Sequence, residues 1–418
     1  MSVEARQLLT QIVSLVKQSQ ELRSCGLNMN CSENATSRLL RKVLASDAAR
    51  RISYTSPVKL YAGTVYLDKA LDVCKELAEK LFRADHASLW PLTGAVAVAS
   101  VFFAFARPGD RVMTIHPFNG GWPNLLFAKP WFDTRYFRND EGSIGISLAK
   151  AVEDIYKHRP NIIMLGATII LFPAPIRELA KAAEEVGALI FYDGVQDLGL
   201  IAGGRFQDPL REGCPIIAGG TNKSFPGPHR GIILTKGDEA FERIEQVSGQ
   251  APFDPFIQSS YDLAATIAVG ISLAEMLEYG KEYVTQVVSN CKALGRALHD
   301  RGIDIVYPEE DFTQSHMILQ RVGKTLPVSA EGHVVKEKLE RANIFVDAVP
   351  RYSTNEPTRL GMKETEMKEI ARLVSRVLVD NADPQKVARE VADLTGGFQT
   401  LKYCFEDKDK AYEYFDFL

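Results

Sequence analysis

From about Leu60 to Thr235 the chain alternates helical periodicity with short apolar runs, and this alternation constrains the fold more than any other feature. Helix-patterned segments are Asp68–Leu81, Ala95–Ala106, Ser147–Tyr156 and Ile176–Val186. Between and after them, Arg111–Ile115, Asn161–Leu165, Ala188–Tyr192, Pro215–Ala218 and Gly231–Leu234 read as strands. Parallel strands need crossover connections, and helices supply them while covering the sheet faces, so the pattern predicts an α/β fold with a mostly parallel sheet. Ligands of such sheets bind beyond the carboxyl ends of the strands, which makes the residues just after each apolar run the functional candidates.

The flanking regions read differently. Val3–Arg23 has the spacing of an amphipathic helix, and a polar arm follows through Asn34 to Thr36. A long helical stretch from about Tyr261 to Arg301 leads into a mixed region, where Ile303–Tyr307 and His316–Gln320 read as strands and Glu364–Val379 as a helix. The expected organisation is an N-terminal helix and arm (1–59), a large domain (60–280) and a smaller α+β domain (281–418), which suits 418 residues. A net charge of −4 gives no electrostatic footprint for nucleic acid or an anionic membrane. The six cysteines are scattered without a C-x-x-C pair, which argues against a disulfide framework or a zinc site and for a reducing compartment. The N-terminus lacks the order of a secretory signal, and no uninterrupted apolar run approaches the roughly 18 residues of a membrane span. A cytoplasmic enzyme or binding protein with no metal is expected.

The strongest local signal is Gly219-Gly220-Thr221-Asn222-Lys223-Ser224-Phe225-Pro226-Gly227-Pro228, directly after an apolar run. A lysine in such a turn is placed to form a Schiff base with an aldehyde cofactor, provided its amine is held deprotonated by desolvation and nearby cations such as His229 and Arg230. Taken alone, a solvated turn lysine is the more ordinary reading; the spacing of a P-loop is absent. Asp193 ends the run Ala188–Tyr192. Pyridoxal phosphate (PLP) needs a carboxylate against its pyridine nitrogen, and Asp193 is the right kind of group, although an aspartate there also caps turns. Thr93-Gly94-Ala95 opens an apolar helix, where free N–H groups and the dipole suit a phosphate, or where Thr93 is simply an N-cap. The order phosphate turn, aspartate, lysine is what joins the three.

These segments carry a resemblance. Thr221–Leu234 (TNKSFPGPHRGIIL) is similar to the T-H-K-T-F-P-G-P-Q-G-G-I segment of the serine hydroxymethyltransferases, and Tyr192–Leu210 resembles their Y-D-x-A-H-V-x-G-L-I-A-G segment. Pro91–Ala97 (PLTGAVA) matches the phosphate turn, and Ser32-Glu33-Asn34 matches the S-E-N of the arm. The resemblance implies a PLP-dependent transferase of the aspartate-aminotransferase type (fold type I). It implies a covalent Schiff base to Lys223, with Asp193 as pyridine partner and Thr93, Gly94, Ala95, Asn119, Thr168, Gln196 and Thr221 around the cofactor. Ser32 and Arg351 are implied for the substrate; Arg359 competes with Arg351 for the carboxylate. Tyr54 and Tyr61 are implied near the reacting atoms, with a homodimer or dimer of dimers as the assembly.

The departures fall on the chemistry. Tyr54 stands where the family has a glutamate used in folate-linked proton transfer. A phenol, with a reference pKa of about 10 against about 4.3, is no base at neutral pH, which counts against use of tetrahydrofolate. Gln196 and Asn222 replace histidines, and the segment Asn119-Gly120-Gly121-Trp122 lacks the histidine that stacks on the ring, leaving Trp122 or Phe118 to cover it. The expected function is folate-independent making or breaking of the Cα–Cβ bond of a β-hydroxy-α-amino acid with an aldehyde, of aldolase or transaldolase type, through a glycine quinonoid. The alternatives are a tetrahydrofolate-dependent hydroxymethyltransferase, other PLP chemistry (transamination, racemisation, β-substitution), and a non-catalytic subunit on the same fold.

Overall fold

A computed structural model describes residues 3–53, 59, 61–123, 131–140, 142–248, 262–323, 330–406 and 410–412. After β1 (Leu27–Asn28) the chain builds a seven-stranded sheet from β2 (His86–Ser88), β3 (Arg111–Thr114), β4 (Asp133–Tyr136), β5 (Ile162–Leu165), β6 (Leu189–Gly194), β7 (Ile216–Gly220) and β8 (Gly231–Thr235). The spatial order is β2-β8-β7-β6-β5-β3-β4, and β8 alone runs against the others.

Both faces of this sheet are covered, which explains why its strands read as continuous apolar runs. Met113, Ile163, Leu165, Ile190, Tyr192 and Ile217 enter one core. Their neighbours Val112, Ile162, Met164, Phe191 and Ile216 enter another, against Ala97, Val101 and Phe102 of the helix Gly94–Phe105. A third core gathers Ile318 of β9 (Met317–Leu319), Ile344 of β10 (Ile344–Phe345), Tyr352 of β11 (Arg351–Ser353) and the apolar stripe of the helix Glu364–Leu378.

The helix Leu263–His299 joins the two parts. Its Val269, Leu273, Val284 and Val287 lie in the sheet's core, and its Cys291, Leu294 and Leu298 in the C-terminal one. Among the described helices it is the one long and apolar enough to cross a membrane, and two-thirds of its apolar window (67%) is buried in the protein. About a third of the way along it, Glu275 is paired with Arg359, both almost fully buried. Removing one partner strands the other charge away from water. Glu275→Ala is therefore expected to lower unfolding stability by about 3–5 kcal/mol, read as a fall in the urea midpoint.

One expectation changes. Ile303–Tyr307 forms no strand: Ile305 alone bridges to Gln320, and Tyr307 has φ +59°, which turns the chain into the short helix Pro308–Glu310. β2 and β4 go beyond the sequence reading. The first has three residues, too few to establish an alternation, and the second (DTRY) is a polar edge strand.

Candidate active site

The carboxyl ends of β5, β6 and β7 and the start of the helix Gly94–Phe105 enclose a cavity of about 230 Å³. Thr93, Gly94, Ala95, Thr168, Asp193, Gln196 and Lys223 line it, together with Trp122, Asn222 and His229. Seven residues expected around a cofactor thus meet at one place.

Lys223 is delivered by the loop after β7. Thr221 folds that loop: its hydroxyl donates to the Pro228 carbonyl at 2.5 Å and its N–H to the Arg230 carbonyl at 3.0 Å. The Ser224 hydroxyl donates to the Gln196 carbonyl at 2.6 Å and accepts the Gly199 N–H at 3.0 Å, fixing the lysine loop to the turn after β6. The N-terminal arm holds the other side. Asn34 donates through Nδ2 to the Lys223 carbonyl, and Asn222 donates to the Ser32 carbonyl.

Asp193 ends β6 and accepts the Val195 N–H at 3.0 Å. Burial pushes its carboxyl up to about 6, against the opposing pull of that N–H and of Lys223. Burial pushes the Lys223 ammonium down, with Asp193 opposing and Arg351 assisting. Desolvation thus favours the neutral amine that a Schiff base requires. Close approach to Asp193 depends on two glycines. A Cβ on Gly166 (φ +96°) would lie 2.1 Å from the Asp193 carbonyl oxygen, and one on Gly94 2.6 Å from Val195. Thr93 caps the helix by accepting the Val96 N–H at 3.2 Å; no acidic side chain lies in the first turn, so the positive end of the dipole faces the cavity.

The other expected residues lie outside this cavity. Asn119 donates its amide to the Ser143 carbonyl at 2.7 Å. Thr221 is buried within the loop it folds, and Ser32 lines a larger neighbouring cavity of about 560 Å³. Tyr61 is 43% exposed and lines neither cavity in the single chain; Tyr54 lies outside the described residues. Arg351 is buried and donates to the carbonyl of Thr168 at 2.5 Å, which brings the small C-terminal sheet to the edge of the cofactor cavity. Arg359 points instead to Glu275 and the Tyr403 carbonyl.

Three further groups lie beyond what the sequence reading singled out. Asp347 is paired with Arg351. His316 is held neutral, its pKa pushed down to about 3 by burial and by Arg351 and Lys223. Cys31 is a buried thiol pushed well up by burial, within electrostatic reach of Arg351, Asp347 and Lys223. Of the three, Asp347 alone carries a sequence signal, as a carboxylate four residues before Arg351.

The residues present fit PLP: a buried carboxylate, a desolvated lysine, an uncrowded helix N-terminus and a buried Gln196 Oε1 without a partner among the described residues all face or border one cavity. An L-threonine transaldolase from Pseudomonas fluorescens, solved in its internal aldimine state, is similar over 96% of this chain and 94% of its own, with a TM-score of 0.86 and 25% identity. Fold and site together define a PLP-dependent enzyme of fold type I that acts on amino acids. The family model for serine hydroxymethyltransferase matches residues 6–371. Curated serine hydroxymethyltransferases are similar throughout: that of Methanocella arvoryzae is 38% identical over 96% of this chain and 97% of its own. That of Korarchaeum cryptofilum is 37% identical over 93% and 95%. The chain belongs to the serine hydroxymethyltransferase family.

Proposed function

We propose that this enzyme makes or breaks the Cα–Cβ bond of a β-hydroxy-α-amino acid without tetrahydrofolate, exchanging an aldehyde with glycine as an aldolase or transaldolase. The observation that supports this reading is the lining of the cavity: Gln196, Asn222 and Trp122 face it at positions where the resemblance to the serine hydroxymethyltransferases implies histidines, while His229, which also lines it, stands where that resemblance implies a glutamine. Neutral amides and an indole bind and cover a ring but do not shuttle protons near neutral pH.

In this reading Lys223 holds the cofactor covalently, and Asp193 keeps the pyridine nitrogen protonated. When bound, PLP supplies an electron sink for the carbanion left at Cα. Thr93, Gly94 and Ala95 present the helix N-terminus to its phosphate, and the Trp122 ring covers its face. Arg351 grips the substrate carboxylate and so orients the bond that breaks. The likeness to a threonine transaldolase supports the same direction. A second reading, transfer of the hydroxymethyl group to tetrahydrofolate, draws on the names of the relatives.

The deciding experiment follows visible absorbance of PLP-loaded protein with glycine, L-serine or L-threonine, each with and without tetrahydrofolate. Glycine or L-threonine alone is expected to raise a long-wavelength carbanion band and, with L-threonine, to release acetaldehyde. A band that grows only when tetrahydrofolate accompanies glycine would replace the first reading by the second.

For the assembly we propose a homodimer or a dimer of dimers. The helix Val3–Ser24 leaves Leu8, Leu9, Ile12, Leu15 and Val16 more than half exposed, an apolar stripe suited to a second copy.

A further inference from the structure

An arginine that grips a substrate carboxylate is ordinarily left open to receive it. Here Arg351 is not. Its Nη1 donates to the Thr168 carbonyl, and its Nη2 is bonded to Oδ2 of Asp347, a residue of the short link between β10 and β11. The arginine side chain is 5% exposed and the aspartate side chain 22%, so the pair lies at the inner edge of the site rather than on the surface. Both partners keep a buried atom without a partner among the described residues, Nε of Arg351 and Oδ1 of Asp347. Part of the fork is therefore spent on an internal carboxylate, and a further N–H still waits for an acceptor.

We propose that Asp347 is a built-in competitor for Arg351, so that a substrate carboxylate is accepted only when Asp347 is displaced or neutralised. It is a specificity-determining residue, and it rests on the reading of Arg351 as the carboxylate ligand. Two carboxylates cannot share one buried guanidinium without repulsion, since like charges a few ångströms apart are poorly screened there. The cost is removed by a proton on Asp347, and its surroundings bear on that proton. Burial pushes the Asp347 carboxyl up, while Arg351, the Val349 N–H and Lys223 oppose. Cys31 also lies within reach of Asp347, and His316 within reach of Arg351. The first is a thiol held protonated and the second a ring held neutral, so neither changes charge between pH 6 and 8.

Linkage then fixes the sign. If anion binding raises the proton affinity of Asp347, each bound anion brings a proton with it, and affinity falls as pH rises through the range where free Asp347 is ionised. Below that range Asp347 is already neutral and exerts no competition. The device weakens binding of simple amino acids at alkaline pH and leaves the cofactor contacts untouched.

The test uses acetate as the probe, because it carries the carboxylate without an amine that titrates or reacts. PLP-loaded wild type, Asp347→Asn, Asp347→Glu and Arg351→Gln are compared by the rise of Tm with acetate at constant ionic strength, from pH 5.5 to 8.5. A ligand that binds only the folded state raises stability with the logarithm of one plus its concentration over Kd, so the series yields an apparent Kd without any assay of turnover. Asp347→Asn is expected to bind acetate at least about tenfold tighter than wild type at pH 8. Its Kd is expected to stay flat with pH where that of wild type rises, and Asp347→Glu is expected to keep the wild-type pattern. A gain of affinity is not something a damaged fold produces. If Asp347→Asn binds no tighter while Arg351→Gln loses the response, the competitor role of Asp347 is overturned and the reading of Arg351 stands. If Arg351→Gln responds as wild type does, the reading of Arg351 falls and takes this inference with it.

Discussion

Lys223→Ala is expected to purify without the visible band of a lysine-linked pyridoxal, and to show no turnover of glycine, L-serine or L-threonine above the cofactor's own background. The reason is covalent: Lys223 is the amine proposed to hold the cofactor, and among the described residues no other lysine lines the cavity. Free PLP added at high concentration is expected to occupy the cradle of Asp193 and the helix Gly94–Phe105 weakly, without the imine band. Fold should be preserved, because the contacts fixing the loop are made by Thr221, Ser224 and the Lys223 backbone rather than by the amine. An absorbance spectrum beside a far-ultraviolet circular dichroism spectrum checks both halves. A variant that keeps the imine band would show that another amine holds the cofactor.

The second large effect is expected for Asp193→Asn. The amide keeps the shape and can still accept the Val195 N–H, yet it carries no charge to hold a proton on the pyridine nitrogen. Loss of one preorganised electrostatic partner at a developing charge costs about 10²–10³ in kcat, and this partner is buried and poorly screened. Imine formation should survive, because Lys223 remains and loses only a neighbour that favours its protonated form. The signature is therefore a protein that is yellow but slow. Single-turnover kinetics with glycine, read against the steady state, separates this from a defect in binding.

Much of this site is legible in the amino-acid sequence itself. The sheet strands and their helices announce themselves because both faces are buried and the crossovers are regular. Asp193 and Lys223 sit at strand ends, and the order phosphate turn, aspartate, lysine marks them together, since each alone has an ordinary structural reading. What escapes is tertiary. β4 is a polar edge, β2 is too short to show an alternation, and the turn at Tyr307 depends on a positive φ that no side chain announces. Asn119 and Thr221 are expected around the cofactor, and the bonds their side chains donate to the carbonyls of Ser143 and Pro228 are not readable from the sequence. Asp347, His316 and Cys31 come from three distant stretches, and only folding brings their charges and protons to bear on one arginine. The residues of chemistry are readable because a motif names them, whereas the residues that modulate them have no motif.

The link from Asn34 to the Lys223 carbonyl spans 189 positions of sequence. During synthesis the arm that steadies the lysine loop emerges well before that loop and has nothing to hold until 189 further residues have followed. Arg351 arrives later still, on a strand whose partner β9 precedes it by about thirty residues. Contacts of such separation close late, because the entropy of looping must be met before they repay it. The lysine loop is thus steadied on its arm side only after a long loop has closed, and firm capture of PLP belongs to the folded domain rather than to its first strands.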